Sequence, residues 1–160
     1  MNDPVHVIVD SGLDDALALG VLLGMKVPFA QVIATEGSLD LMQTLSVTHR
    51  LLVSLGCWAP VRIGAAEGIS APYPKGRDPF HGADGFGSLA SALTPSEAPN
   101  VSFERLDGPV FCSAALTVVA LGLETGHHVS ELVWMGGAVG SGGNMTPGGR
   151  VQRLDGSSGC

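Results

Sequence analysis

Three carboxylates, Asp10, Asp14 and Asp15, crowd into the stretch DSGLDD that follows the apolar run VHVIV at residues 5–9. Like charges this close repel, so the pattern needs a compensating role. Helix capping is one. Asp14 or Asp15 can accept orphan backbone N–H groups and sit favourably against the positive end of a helix dipole. Capping explains one acid well and a second passably, and it leaves Asp10 without a role. A cation bridging Asp10 and Asp15 accounts for all three.

The elements that must hold these acids follow from the pattern of the chain. Val5–Val9 is apolar at four of five positions and rich in β-branched residues, which reads as a buried strand. A helix is expected from about Asp14 to Leu23, a strand at 29–35, a helix from about Asp40 to Ser54 ended by Gly56, and a third strand at 59–64. Residues 65–90 carry too many prolines and glycines for a helix and read as a long irregular loop, a type that is usually functional. A strand at 108–114, a helix at 115–124 and a further buried strand at 131–139 complete the series. This rhythm predicts an α/β fold with a mostly parallel sheet and helices on both faces, a Rossmann-like open sheet. Ligands of such sheets collect at the carboxyl ends of the strands, where the acids, Thr35–Ser38 and Met135–Gly137 all fall.

Composition narrows the function classes. The chain has 160 residues, 45% apolar and 14% charged, enough for one domain with a core and unlike a disordered segment. Net charge is −7 with eight Lys+Arg and no basic cluster, which argues against nucleic acid and suits a divalent cation. Cys57, Cys112 and Cys160 are spaced like neither a zinc site nor a disulfide framework and read as free thiols in a reducing compartment. The N-terminus lacks a basic leader, and the longest apolar run, 109–123, falls short of a membrane span. A soluble, cytoplasmic protein is expected.

Six ordered motifs point further. VDSGLDDALAL resembles the DxDPGxDDxxAL signature of the inosine- and uridine-preferring nucleoside hydrolases. VIATEGSLDLMQT resembles that family's second strand and the loop after it, and VRIGAAEG its third strand and turn. FHGADGFG is similar to the HGxDGLG loop, LTVVALGLE to the LTNxALAL helix start, and LVWMGGAVGSGGNMTP to the MGGxxxxxGNxTP segment. The resemblance covers residues 5–147 and implies hydrolysis of the N-ribosidic bond, giving ribose and free base, with a Ca²⁺ held by oxygen ligands. By position, Asp10 matches a Ca²⁺ ligand that doubles as general base, and Asp15 matches a bidentate ligand. Asp14 matches the acid that grips a ribose hydroxyl, and Thr117 the residue that offers a backbone carbonyl to the metal. Asn144 and Ser38 fall at ribose-binding positions, Met135 lines the sugar pocket and His81 lies in a loop near the base. The implied partner is a small-molecule ribonucleoside, with homo-oligomerisation of the full-length protein; no nucleic acid or membrane partner is expected.

Each of these positions also has a plainer reading. Thr117 suits a helix cap, Met135 a core, His81 a solvated loop and Asn144 a turn between glycines. Four positions depart from the family pattern. Ile8 replaces the first signature aspartate, Ser11 stands where proline is usual and is expected to loosen the turn, Ser38 replaces an asparagine, and so does Val118. Each change is expected to weaken a polar contact around the sugar or its supports.

The end of the chain departs more. After NMTP, the tail GGRVQRLDGSSGC is unlike the family's AAEFNxxxDPxAA. One permissible encoding of residues 147–160, with a single G deleted from its early run, rereads as P-A-A-E-F-N-A-W-M-D-P-R-A. Residues 1–147 are therefore expected to be the N-terminal part of a nucleoside hydrolase domain, and 148–160 an out-of-frame tail. The competing reading is a non-catalytic remnant that binds Ca²⁺ or a partner and hydrolyses nothing. A nucleotide-binding α/β domain ranks last, because neither a phosphate-cradling glycine fingerprint nor a P-loop lysine is present.

Overall fold

A computed structural model describes residues 3–37, 39–69, 82 and 84–137. Runs of apolar and β-branched residues form five strands: β1 (Val5–Val9), β2 (Phe29–Ala34), β3 (Val61–Ile63), β4 (Asp107–Cys112) and β5 (His128–Trp134). Three helices connect them: α1 (Leu13–Gly24), α2 (Leu41–Ser54) and α3 (Thr117–Glu124). Between β3 and β4 lies one 3₁₀ turn among the described residues, at Ala90–Ala92.

The strands lie in the order β3-β2-β1-β4-β5, and every pairing is parallel. Side chains alternate across the central strands and so feed two cores. Val7, Val9, Val32 and Ala34 face α1 and α2, packing with Leu19, Leu45, Leu51 and Leu52. Ile8, Ile33, Val110 and Cys112 face the other way, packing with Val118 and Val119 of α3. Helices therefore cover both faces, as the pattern predicted. Moving outward through β2 and β3, the chain then returns to lay β4 on the far side of β1. The crevice between β1 and β4 is thus a topological switch point, the place where such sheets take ligands.

The returning segment is well tied down. Ile63 N–H donates to Val101 O at 2.8 Å and Phe103 N–H to Ile63 O at 3.0 Å, which covers the outer side of β3. Glu104 N–H donates to the Gln31 side chain at 3.0 Å, and the Gln31 amide donates back to Glu104 O at 3.2 Å. Among the described residues no helix is long and apolar enough to cross a membrane.

The structure corrects two expectations. The last strand begins at His128 and is an edge strand, with Leu132, Val133 and Trp134 exposed at 40, 54 and 42%. Apolar composition shows that a segment suits a pleated sheet, but not how many neighbours cover it. Nor does Ser11 loosen its turn. Its φ is +59°, a conformation proline cannot adopt, and its buried hydroxyl bonds Thr48 Oγ1 and donates to Thr44 O at 3.4 Å. The serine fastens the β1–α1 turn to α2.

Candidate active site at the carboxyl edge of the sheet

The turn from β1 into α1 places Asp10 at the strand end, Gly12 as the helix cap and Asp15 in the first helical turn. Asp15 is buried, at 1% exposure, yet none of this burial leaves its carboxylate without partners. Oδ2 accepts the Asp10 N–H at 3.1 Å and the Gly12 N–H at 3.0 Å. Oδ1 accepts the hydroxyl of Ser113, which lies just past the end of β4. The capping role is therefore real for Asp15. Asp14, one residue earlier, is exposed.

Asp10 has the opposite environment. It is half-buried, and its carboxyl is pushed up to about 8. Burial is the largest cause, followed by repulsion from Asp15, a side-chain hydrogen bond with Asp15 and repulsion from Asp14. The two carboxyls thus share one site: Asp15 accepts three hydrogen bonds from its surroundings, and Asp10 is driven to hold a proton. Gly37, in the loop after β2, closes over Asp10: a Cβ there would overlap its carboxylate and fall 2.5 Å from its Cβ. Thr35 anchors the same loop, donating its hydroxyl to Ala65 O at 2.7 Å.

The neighbouring strand ends complete the rim. Thr117 opens α3 and is buried, but the cap residue of that helix is Leu116, so Thr117 is not its cap. Met135 follows β5, half exposed rather than in a core, with its N–H donating to Cys112 O at 2.9 Å. Trp134 reaches across to donate its indole N–H to Ala114 O at 3.1 Å. Burial, and secondarily the nearby Asp10 and Asp15 charges, push the Cys112 thiol up to about 11, which leaves it a packing group rather than a nucleophile.

Of the residues expected at the site, Asp10 and Asp15 come together, with Asp14 on the same turn. Thr117 and Met135 sit at adjacent strand ends. Ser38, His81 and Asn144 lie outside the described residues, as do residues 148–160. Ser113 and Gly37 were not foreseen. Gly37 lies 27 residues from the acid it covers and Ser113 lies 98 from its partner, so no local spacing reveals either.

A hard divalent cation suits what is present. Two carboxylates face one another at the switch point, and the elevated Asp10 marks negative charge that only a proton now relieves. Among the described residues no third His, Cys, Asp or Glu joins them at metal-binding distance. The pair could supply the anionic part of a cation site only if neutral oxygens or other segments supplied the remaining ligands.

Comparison with solved structures finds the same architecture. An inosine-guanosine nucleoside hydrolase matches with a TM-score of 0.66 at 20% identity, over 77% of this chain and 43% of that one. A plant nucleoside hydrolase matches at 0.72 and 21%, over 84% and 48%. A purine-preferring ribonucleoside hydrolase from Gardnerella vaginalis matches at 0.69 and 18%, over 85% and 49%. This chain therefore spans less than half the length of each. Comparison with curated protein sequences found no match. The profile described as inosine-uridine preferring nucleoside hydrolase matches residues 5–151, nearly the whole chain. The chain belongs to the inosine-uridine preferring nucleoside hydrolase family.

Proposed function

We propose that the carboxyl edge of this sheet is the ribose-binding, catalytic edge of a Ca²⁺-dependent ribonucleoside hydrolase that yields ribose and free base. The observation that carries the reading is the pairing of half-buried Asp10 with buried Asp15 at the β1/β4 switch point, in a chain of this family. Asp10 and Asp15 would hold the cation through carboxylate oxygens and Thr117 through its backbone carbonyl. When bound, Ca²⁺ supplies a hard positive charge that anchors ribose hydroxyls and makes a neighbouring water more acidic.

The chain's own residues then divide the work. Asp10 takes the proton from water as its oxygen attacks the anomeric carbon, while the bond to the base nitrogen breaks. The proton ends on the departing base. Positive charge builds on the sugar in an oxocarbenium-like transition state, and the acidic turn stabilises it. Asp14 binds a ribose hydroxyl, Ser38 and Asn144 hold the sugar, Met135 lines its pocket and His81 lies near the base. The same reading takes residues 148–160 as an out-of-frame tail on the family segment 1–147. Coding DNA with an uninterrupted frame around codons 146–150 would reject that point.

The test is release of base from inosine and uridine by the frame-restored protein, with Asp10→Asn beside it. Loss of a general base typically costs ~10²–10⁴-fold, so the variant should fall at least that far. Full activity in Asp10→Asn would overturn the mechanism. A second reading, cation binding without hydrolysis by the chain as it stands, is favoured by the absence of a third acidic or histidine ligand among the described residues. It predicts weak Ca²⁺ binding by calorimetry, lost in Asp10→Ala, with no base released.

A further inference from the structure

We infer that Ser113 is a positioning residue for the cation-holding pair: its hydroxyl, donated across the β1/β4 crevice, fixes the orientation of the Asp15 carboxylate. The inference rests on reading Asp10 and Asp15 as that pair. Ser113 stands immediately beyond β4, and its backbone N–H donates to Ile8 O at 3.0 Å. That bond alone ties the end of β4 to β1. The hydroxyl lies 3.3 Å from the same carbonyl, but Ile8 O is already served, and the hydroxyl has one hydrogen to give. It gives it to Asp15 Oδ1. The side chain is therefore spare for the sheet and engaged at the site.

The consequence for Asp15 is geometric. A carboxylate held by one oxygen can still rotate about its Cβ–Cγ bond. With Oδ2 bound by the Asp10 and Gly12 amides and Oδ1 bound by Ser113, both oxygens are pinned from two different strands' ends. A carboxylate has about four acceptor sites, and these three donors engage both of its oxygens. Groups that orient a metal ligand in this way typically contribute 10–100-fold to affinity. The family's polar signature positions on this side of the sheet are filled here by Ile8 and Val118, both fully buried in one apolar cluster. Neither can hydrogen-bond to a ligand through its side chain, which leaves Ser113 as the donor that reaches Asp15 from β4.

The test compares wild type, Ser113→Ala and Ser113→Thr by two independent readouts. Amide exchange at Asp10 and Gly12 reports directly on the Asp15 carboxylate, with or without a cation. In Ser113→Ala these two amides should exchange about tenfold faster or more, as a released charged acceptor frees them, while Val7 and Val32 in the sheet core stay unchanged. Ser113→Thr, which keeps the hydroxyl, should restore slow exchange. Calorimetry with Ca²⁺ alone should show affinity reduced about 10–100-fold in Ser113→Ala and recovered in Ser113→Thr. Unchanged exchange at Asp10 and Gly12 in Ser113→Ala overturns the inference. A wild type that binds no Ca²⁺ overturns the cation reading instead, and the exchange comparison still decides the role of Ser113.

Discussion

At Gly37 the chain has room for one hydrogen atom beside Asp10 and no more. A methyl group there would overlap both the carboxylate and the Cβ of Asp10, so Gly37→Ala must move the acid rather than merely crowd its tip. A misplacement of about 1 Å can cost ~10²-fold in rate, so Gly37→Ala should lower base release by about that much with every acid still present. An unchanged kcat/KM would show that Asp10 need not occupy this position. Asp10 itself carries a cost in stability. Its carboxyl rises from an ordinary 3.8 to about 8 in the fold, so the folded chain binds a proton that the unfolded chain releases. Stability from this group is complete below pH 3.8 and is lost as pH climbs towards 8. Asp10→Asn should therefore melt higher than wild type in chelator at pH 8 and much closer to it at pH 4. Equal gaps at both pH values would contradict the repulsion described here. The three acids were legible because they are adjacent in sequence. What the sequence could not convey is that Asp15 would be satisfied and Asp10 strained, since the difference comes from burial, from the geometry of the turn and from Ser113 at the end of another strand.

Among the elements, the segment that runs from the end of the FHGADGFG motif to the 3₁₀ turn depends on one side chain. Asp84 accepts the N–H groups of Phe86 at 3.0 Å, Ser88 at 2.8 Å and Ala90 at 3.0 Å, winding residues 84–90 into the 3₁₀ turn. Burial on its own would raise this carboxyl, but the three N–H donors outweigh it and hold it below the usual range. The sign is opposite to that of Asp10: the clamp is present above the ordinary aspartate value and is lost as pH falls through the lower folded one. Protection of the Phe86, Ser88 and Ala90 amides, corrected for intrinsic exchange, should survive at pH 5 and disappear in strong acid. Asp84→Ala should abolish it at neutral pH; retained protection would mean the turn holds itself. Within this motif the sequence points to His81 and not to Asp84, because an aspartate followed by glycine looks like ordinary turn chemistry. Strands and helices were easier. Continuous apolar, β-branched runs revealed β1 and β2 closely, whereas α1 is apolar almost all round. Its Leu17 and Val21, and Met25 just beyond its end, remain 72, 61 and 70% exposed, a fact its composition conceals.

For the molecule as a whole, the two sides of the sheet differ. The outer side of β3 is covered by residues 101–103, while among the described residues β5 pairs only with β4 and leaves Leu132, Val133, Trp134 and Met135 open. Parallel sheets are normally covered on both faces, and a bare apolar edge invites pairing with another chain. The 160-residue chain should therefore self-associate at micromolar concentrations, and Val133→Lys should lower its average mass in sedimentation. A wild type that stays monomeric and melts cooperatively would show that this edge is tolerated. Parallel order and helices on both faces were legible from the repeating strand and helix pattern; the standing of β5 as an edge was not, because neighbours are a property of the assembled sheet. The link between Ser113 and Asp15 also sets a schedule. The acids are made first and their hydroxyl partner 98 residues later. At ribosomal speeds of about 5–20 residues per second, the interval is roughly 5–20 s. Throughout that time the nascent chain carries Asp10 and Asp15 as two unlocked, water-exposed acids. Whatever cations surround the ribosome, the finished pocket cannot form until β4 has been synthesised and docked.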